Sequence, residues 1–257
     1  MSPAPSTARR APDLAAVLVR RDLRLAYGGA AFGLLWAPAT VLVQTVALAF
    51  LFRRVVPLGI DDYPAFLLGG LVVWHLVSTA LNGSAGAFRD NADLVRRPGF
   101  PDAVLPLVAV GRSLAGYALS LPVVVVALAV AGRVHVTALA LPLVVLATLL
   151  LLVGPAFVIA TLDVRRRDVG HLVRVGMGVL FYVTPVFYPE ERIPDGYAWV
   201  SELNPVAGVV TLHRQVLFDG AWPDVGRLAT VLAFALVGIG LGAFAYRRAA
   251  RHLADDL

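Results

Sequence analysis

The chain has 257 residues, of which 59% are hydrophobic and only 15% charged, with a formal net charge of +5. A soluble globular chain is usually about a quarter charged, so this composition favours a lipid-embedded core over a water-soluble one. There is no cysteine, which excludes disulfides, thiolate metal sites and cysteine nucleophiles, and all 22 basic residues are arginine, which excludes a phosphate-binding lysine.

The first twelve residues, "MSPAPSTARRAP", read as disordered. They do not read as a signal peptide, because the first long apolar block starts only near Phe32. Residues 13–27, "DLAAVLVRRDLRLAY", place Leu14, Leu18 and Leu25 on one helical face with Arg20, Arg21 and Arg24 beside it. This predicts an amphipathic helix at the membrane surface, its cations meeting anionic lipid.

Six apolar blocks follow, at 33–52, 64–84, 104–131, 136–162, 172–188 and 228–246. A bilayer core takes about 20 apolar residues per helix, and in hydrocarbon the backbone must satisfy its own hydrogen bonds. The short alternating strands of a barrel are missing from the pattern. The expected fold class is therefore all-α: a polytopic membrane protein of about six transmembrane helices, one domain over 1–257, with residues 28–257 forming the membrane region. The third and fourth blocks are separated only by "AGRVHVT", a short turn at Gly132, Arg133 and His135.

The arginines set the orientation. With the N-terminus inside, the inner segments collect the clusters at Arg20–Arg24, Arg96–Arg97, Arg165–Arg167 and Arg247–Arg251, while the outer ones hold fewer. That bias puts both termini in the cytoplasm and makes the basic charge a matter of topology rather than nucleic-acid binding. The segment 188–227 then lies outside. Within it "NPVAGVVTLHRQVLF" reads as a helix too short to span, with Asn204 as its cap and Pro205 in its first turn. A re-entrant or interfacial element between the fifth and sixth spans is expected.

Several chemistries are missing. No G-x-x-x-x-G-K-[ST] run occurs, so the chain is not a P-loop ATPase. The spans carry almost no acids, whereas ion-coupled carriers bury an ionisable group at mid-membrane. His75 is the main ionisable residue deep in a span, and Arg112 lies close enough to an inner end to snorkel. "NGSAG" at 82–86 lacks the G-x-S-x-G spacing and reads as a site of close helix packing. Asp168 and His171 are neighbours without a third ligand, so no metal site is expected. What remains is a membrane conduit without an energy source of its own.

The ordered segments "RRDLRLAYGGAAFGLLWAPATVLV", "YPAFLLGGLVVWHLVSTALNGS", "NADLVRRPGFPDAVLPL", "LDVRRRDVGHLV", "TPVFYPEERIP" and "LNPVAGVVTLHRQVLF" together resemble the permease subunit of ABC-2 type exporters, in the branch that moves polysaccharide, O-antigen, capsule or teichoic acid. The resemblance covers almost the whole chain and is carried by order and spacing rather than by any single motif. It implies two paired permeases in the bacterial cytoplasmic membrane and two separate nucleotide-binding subunits, which hold the ATP and Mg and drive export of a lipid-linked glycan. On this chain it implies no catalytic residue, no metal and no cofactor.

The resemblance also implies sites. The ATPase-coupling loop comprises Asp90, Asn91, Asp93, Leu94, Arg96, Arg97, Phe100 and Pro101, with Leu94 and Phe100 as apolar anchors inside a charged rim. A second cytoplasmic contact comprises Arg165, Arg166, Arg167, Asp168 and His171. An outer gate comprises Phe187, Tyr188, Pro189, Asn204 and Pro205. Aromatic platforms and polar groups for a sugar pathway are Trp36, Gln44, Thr45, Trp74, Tyr117 and Tyr182. Two places depart from the family's pattern: Pro98–Gly99, where many relatives carry bulkier residues, and Asp102, where they carry a basic one. The alternatives are an ABC-2 exporter of a drug or small lipid, a membrane-embedded enzyme acting on lipid-linked sugars, and a passive channel.

Overall fold

The computed structural model describes residues 7–27, 33–166, 168–250 and 253, and every regular element among them is helical. Helix α1 (Thr7–Tyr27) begins at Thr7 rather than Asp13, so residues 7–12, expected to be disordered, are helical. The part of that expectation covering residues 1–6 lies outside the described residues.

Helix α2 (Trp36–Phe50) runs on through a π-helical turn to Val55, and α3 (Tyr63–Ser84) follows. The short α4 (Ala92–Val95) sits in the loop before α5 (Val104–Val130). Next come α6 (Leu141–Arg165), entered through a 3-10 turn, and α7 (Val169–Val183). The chain ends with α8 (Ala198–Glu202), α9 (Pro205–Arg214), prolonged by a π-helical turn to Asp219, and α10 (Val225–Ala249).

Among the described residues five helices are long and apolar enough to cross a membrane: Trp36–Val55, Tyr63–Ser84, Val104–Val130, Val136–Arg165 and Val225–Ala249. The block expected at 172–188 is different. Its helix, α7, has 15 residues, a rise of about 22 Å against a bilayer core of about 30 Å. Its anchors show how the chain covers the rest. Gly170 N donates to Asp163 Oδ1 at 3.2 Å, and the other oxygen of Asp163 accepts from Gly86 N, just past the end of α3, at 2.9 Å. At the opposite end the Phe187 carbonyl accepts from the hydroxyl of Tyr63, the first residue of α3, at 2.8 Å. Residues 170–187 therefore run beside the full length of α3. The extended stretch after Thr184 makes up the deficit at about 3.3 Å per residue. Pro185 explains the change, since it cannot continue the helical hydrogen bonding.

These anchors define two ends. The basal end carries α1, residues 85–103 and the α6–α7 turn; the distal end carries Asp62, residues 131–140 and residues 188–224. Helix α3 is the axis of the bundle. It is mostly enclosed, whereas a much smaller share of each of the other long helices is buried, which leaves them surface for lipid. Two backbone approaches set the packing. A Cβ at Gly70 would lie 2.5 Å from the Val186 carbonyl oxygen, and one at Gly154 would lie 2.1 Å from the carbonyl carbon of Gly238. Gly238 and Gly242 form a G-x-x-x-G pair that lets α10 close onto α6.

Helix α1 does more than lie on a membrane surface. Leu18 is buried with Phe88, Val95, Val104, Leu105, Val108 and Leu253 in a basal apolar cluster, and Leu14 packs against it, while Leu25 stays exposed. The predicted apolar face of α1 is thus split between the protein and its surroundings. Helix α9 starts as the sequence indicates: the Asn204 side chain accepts from Val206 N at 3.0 Å, with Pro205 in the first turn. Nearly all of its side chains are buried. Its two ends both lie distally, Asn204 beside Thr184, and Gln215, just after Arg214, accepting from Asp224 N before α10.

Candidate functional site

The basal loop is preformed. Asn91 accepts from Arg21 of α1 at 2.6 Å and donates to the Ala87 carbonyl at 3.0 Å. Asp90 sits against Gly86, whose φ of +85° puts it in the region glycine favours. Leu94 and Phe100 are half-buried against the basal cluster. Much of their apolar surface thus already packs inside the chain. What projects is the tip from Arg96 to Gly99, with Asp90 and Asp93 also exposed; Pro101 is half-buried and its carbonyl accepts from Val104 N, helping to start α5. Asp102, one of the departures from the family's pattern, accepts a short hydrogen bond from Tyr246 of α10.

Arg165, Arg166, Asp168 and His171 are exposed on the α6–α7 turn, and Arg167 lies outside the described residues. The two basal regions meet at Asp163, which is fully buried. Besides binding Gly86 and Gly170 it pairs with Arg89 at 2.8 Å. One carboxylate therefore joins the loop after α3, the end of α6 and the start of α7.

The predicted pathway residues do not share one surface. Trp36 and Tyr117 line a cleft of about 260 Å³ between α2, α3 and α5. Gln44 reaches its edge by bonding His75 Nε2 at 2.9 Å. Thr45 is buried and donates to the Val41 carbonyl of its own helix. Trp74 packs on Phe181 at 5.3 Å on the α7 side of α3, and Tyr182 is exposed in that same aromatic group. The cleft is also lined by Thr79, Arg112, Ser113 and Ser120. Arg112 faces a second cavity of about 540 Å³ as well, which reaches Arg21, Asp90 and Asn91 at the basal end.

The distal residues form a braced assembly. Phe187 stacks on Phe52 at 5.4 Å and meets Phe181, Tyr182 and Tyr188. Tyr188 donates to the Val183 carbonyl at 3.1 Å and Pro189 is half-buried behind it. Asn204 donates to Thr184 at 2.9 Å. Arg214 is buried, donates to the Pro185 and Val186 carbonyls at 3.0–3.1 Å and lies 3.8 Å over the Phe66 ring. Glu190 gathers Ser201, Thr211 and Arg227, the last at 2.8 Å. Burial pushes the Glu190 carboxyl up, but the hydrogen bonds from Ser201 and Arg227, the Arg227 charge and the Thr211 hydroxyl outweigh it and hold the group below the ordinary glutamate value.

Asp163, Arg112, Arg214 and Glu190 fall outside the sets of site residues expected from the sequence. For Arg112 a signal exists, a guanidinium eight residues inside an apolar span. For the others the decisive partners are set by the fold: Asp163 has Gly170 seven residues on but Gly86 77 residues back, and Glu190 draws on Ser201, Thr211 and Arg227 from three later segments.

An all-helical bundle with one enclosed axis, five helices long and apolar enough to cross a membrane and a cleft of mixed polar and apolar lining between three of them defines a polytopic membrane protein. The sequence profile of the ABC-2 type transporter family matches residues 14–218, and the chain belongs to that family. Among its relatives, the O-antigen export system permease protein RfbA of Klebsiella pneumoniae is 28% identical over 235 residues, 90% of this chain and 91% of the other. RfbA of Myxococcus xanthus is 31% identical over 223 residues, 86% of each chain. The polysialic acid transport protein KpsM of Escherichia coli is 25% identical over 238 residues, 90% of this chain and 91% of the other.

Proposed function

We propose that this chain is the membrane-spanning permease subunit of an ATP-driven exporter that moves a lipid-linked polysaccharide or related envelope glycan across the bacterial cytoplasmic membrane. The observation that carries the reading is similarity along nearly the whole chain to permeases named for two different glycans, O-antigen and polysialic acid. It works as a pair with a second copy. Separate nucleotide-binding subunits bind ATP and Mg and dock on its cytoplasmic, basal face. Both termini lie on that face, and residues 170–187 make the fifth of six crossings. The chain itself performs no catalysis and needs no cofactor.

The geometry supports docking at the basal loop. Its exposed tip offers Arg96 and Arg97 to a partner, and Arg165, Arg166 and Asp168 of the α6–α7 turn lie nearby. Apolar Leu94 and Phe100 hold the loop in shape from inside, so a partner spends little free energy on ordering it. At the distal end α9 is a re-entrant element, and Phe187, Tyr188, Pro189, Asn204 and Pro205 form the exit gate.

The test is affinity capture of the chain from its native membrane. An ATP-hydrolysing subunit co-purifies, and reversing Arg96 and Arg97 to glutamate cuts its recovery several-fold while the chain stays folded. Absence of any ATPase from the unmutated capture, or nucleotide hydrolysis by the isolated chain, overturns the reading.

A further inference from the structure

We propose that the outer α5–α6 turn is a releasable clasp on the distal end of α9, and that its opening is a step of export. The inference rests on the exporter reading and names a moving part of the proposed exit gate, with Arg133 as its positioning residue. Alternate residues of the turn, at 133, 135 and 137, grip alternate residues at 216, 218 and 220. The Thr137 hydroxyl donates to the Val216 carbonyl at 3.0 Å. The Arg133 guanidinium lies 4.3 Å over the Phe218 ring, and that ring meets Phe66 of α3 edge-on at 5.6 Å. The His135 ring packs so closely on Gly220 that a Cβ there would lie 2.8 Å from His135 Cγ. Arg133 Nε also donates to Asp62 Oδ2 at 2.9 Å, and Asp62 is the residue just before α3. One guanidinium therefore ties the start of the bundle's axis to the end of α9.

The way these groups are held marks the clasp as the part that yields. Within α9 the anchors are buried: Asn204 at its start bonds Thr184, and Arg214 in its last turn bonds the Pro185 and Val186 carbonyls. Beyond Arg214 only the Thr137–Val216 contact is buried. The Arg133 and Asp62 side chains are 31% and 42% exposed, so water and salt compete for their attraction. The gripped segment Gln215–Asp219 is a π-helical turn, a rare form that recurs at functional sites. Asp62 stands at φ +50°, the one left-handed residue other than glycine among the described residues. Such a conformation persists only where its surroundings hold it, and it gathers at switch regions.

Nearly all of α9 is buried, so a polymer leaving beside it needs one end of the element to lift. The clasped end is the one whose hold is open to water. Opening it costs an exposed ion pair, a cation–ring contact and one buried hydrogen bond, and frees Asp62 from its left-handed conformation.

The experiment uses the full chain with its captured ATPase in cells that make the glycan; the chain has no cysteine of its own. In His135→Cys with Gly220→Cys, the sulfur at 135 takes the place of His135 Cγ, 2.8 Å from the Cβ at 220. A disulfide needs about 3 Å across that Cβ–S–S step. Gly220 lies at φ +67°, so Gly220→Cys alone is the control for backbone strain. Oxidation bonds the pair and abolishes export, reductant restores it, and neither treatment affects the single variants. Undiminished export with the pair bonded overturns the clasp, and so does failure of the two thiols to bond. If the double variant does not fold, Arg133→Gln is read with a cysteine reporter. Val210→Cys, fully buried in α9, is then labelled from outside by an impermeant thiol reagent several-fold faster than with Arg133 present. Val73→Cys, equally buried in α3, stays shielded, which a general loosening of the fold would not allow. Unchanged labelling of Val210→Cys, or equal labelling of Val73→Cys, overturns the proposal. Absence of glycan export from the unmutated complex refutes the exporter reading instead; export that ignores the bonded pair refutes the clasp alone.

Discussion

Replacing Asp163 tests how the basal end is held. Its carboxylate is fully buried and accepts from two backbone N–H groups, Gly86 at 2.9 Å and Gly170 at 3.2 Å, while pairing with Arg89 at 2.8 Å. In Asp163→Ala both N–H groups lose a charged acceptor at a site with little access to water, about 1–3 kcal/mol each. The Arg89 side chain is 37% exposed, so the ion pair adds at most about 1 kcal/mol. The expected loss is about 3–5 kcal/mol. Asp163→Asn keeps one acceptor oxygen and loses about half of that, and Arg89→Ala loses no more than about 1 kcal/mol. Reversible unfolding in mixed micelles titrated with sodium dodecyl sulfate, followed by tryptophan emission, measures all three. A loss below about 1 kcal/mol in Asp163→Ala, or an equal loss in Arg89→Ala, would refute the assignment of the energy to the backbone contacts.

Other substitutions probe the remaining joints. Gly154→Ala places a methyl group 2.1 Å from the carbonyl carbon of Gly238 and forces α6 from α10; it lowers stability by about 1–3 kcal/mol in the same assay, whereas Gly240→Ala, with nothing within 4 Å, lowers it not at all. Because the Glu190 carboxyl is held below its ordinary value of 4.5, its contribution is complete above that pH and fades as pH falls further; thermal denaturation against pH shows this acid-side loss, and Glu190→Gln flattens it. Arg214→Leu leaves the Pro185 and Val186 carbonyls without their donor and costs at least about 2 kcal/mol; Arg214→Lys restores little, because an ammonium cannot span both carbonyls and the Phe66 ring. The chain has no cysteine, so in whole cells Arg166→Cys resists an impermeant thiol reagent while Trp199→Cys reacts, and the reverse pattern refutes the proposed orientation.

The long helices were legible because apolar blocks near bilayer length leave the backbone one solution, and all five long helices fall within three residues of those blocks at both ends. The block at 172–188 misled because hydropathy does not register the break at Thr184–Pro185: "VTPVF" stays apolar after it stops being helical. The opposite error affected "TARRAP", which looks like linker but continues α1. The Asn204 cap was readable because a cap is local, and the G-x-x-x-G at Gly238–Gly242 is equally plain in "GIGLG", though its partner Gly154 is not. The site was much less legible. Pairs such as Arg21–Asn91, Gly86–Asp163 and Asp102–Tyr246 join positions 70, 77 and 144 residues apart, and only the fold sets their registers. Leu94 and Phe100 look like docking anchors because an apolar residue in a charged loop has two possible hosts, and sequence does not say which one takes it.

Those long-range pairs bear on how an exporter of this build would move. Each attaches the basal loop to a different helix: Asn91 to α1, Arg89 to α6 through Asp163, and Asp102 to α10. Helices α6 and α10 are already locked by glycine contact, so in the proposed mechanism they respond to the loop as one body. Helix α1 is packed on α5 instead, with Val19 against Gly111, and α5 forms one wall of the cleft. A partner that tilts the loop therefore pulls on two bodies at once, the α6–α10 pair and the α1–α5 pair, with α3 between them. Rigid-body shifts of packed helices are a common way to transmit a switch. Arg112 faces both the cleft and the basal cavity, so a change in the spacing of those two bodies changes the guanidinium's access from the basal side. On this reading the arginine-rich tip needs only to be gripped, because the interior has already fixed where the force goes.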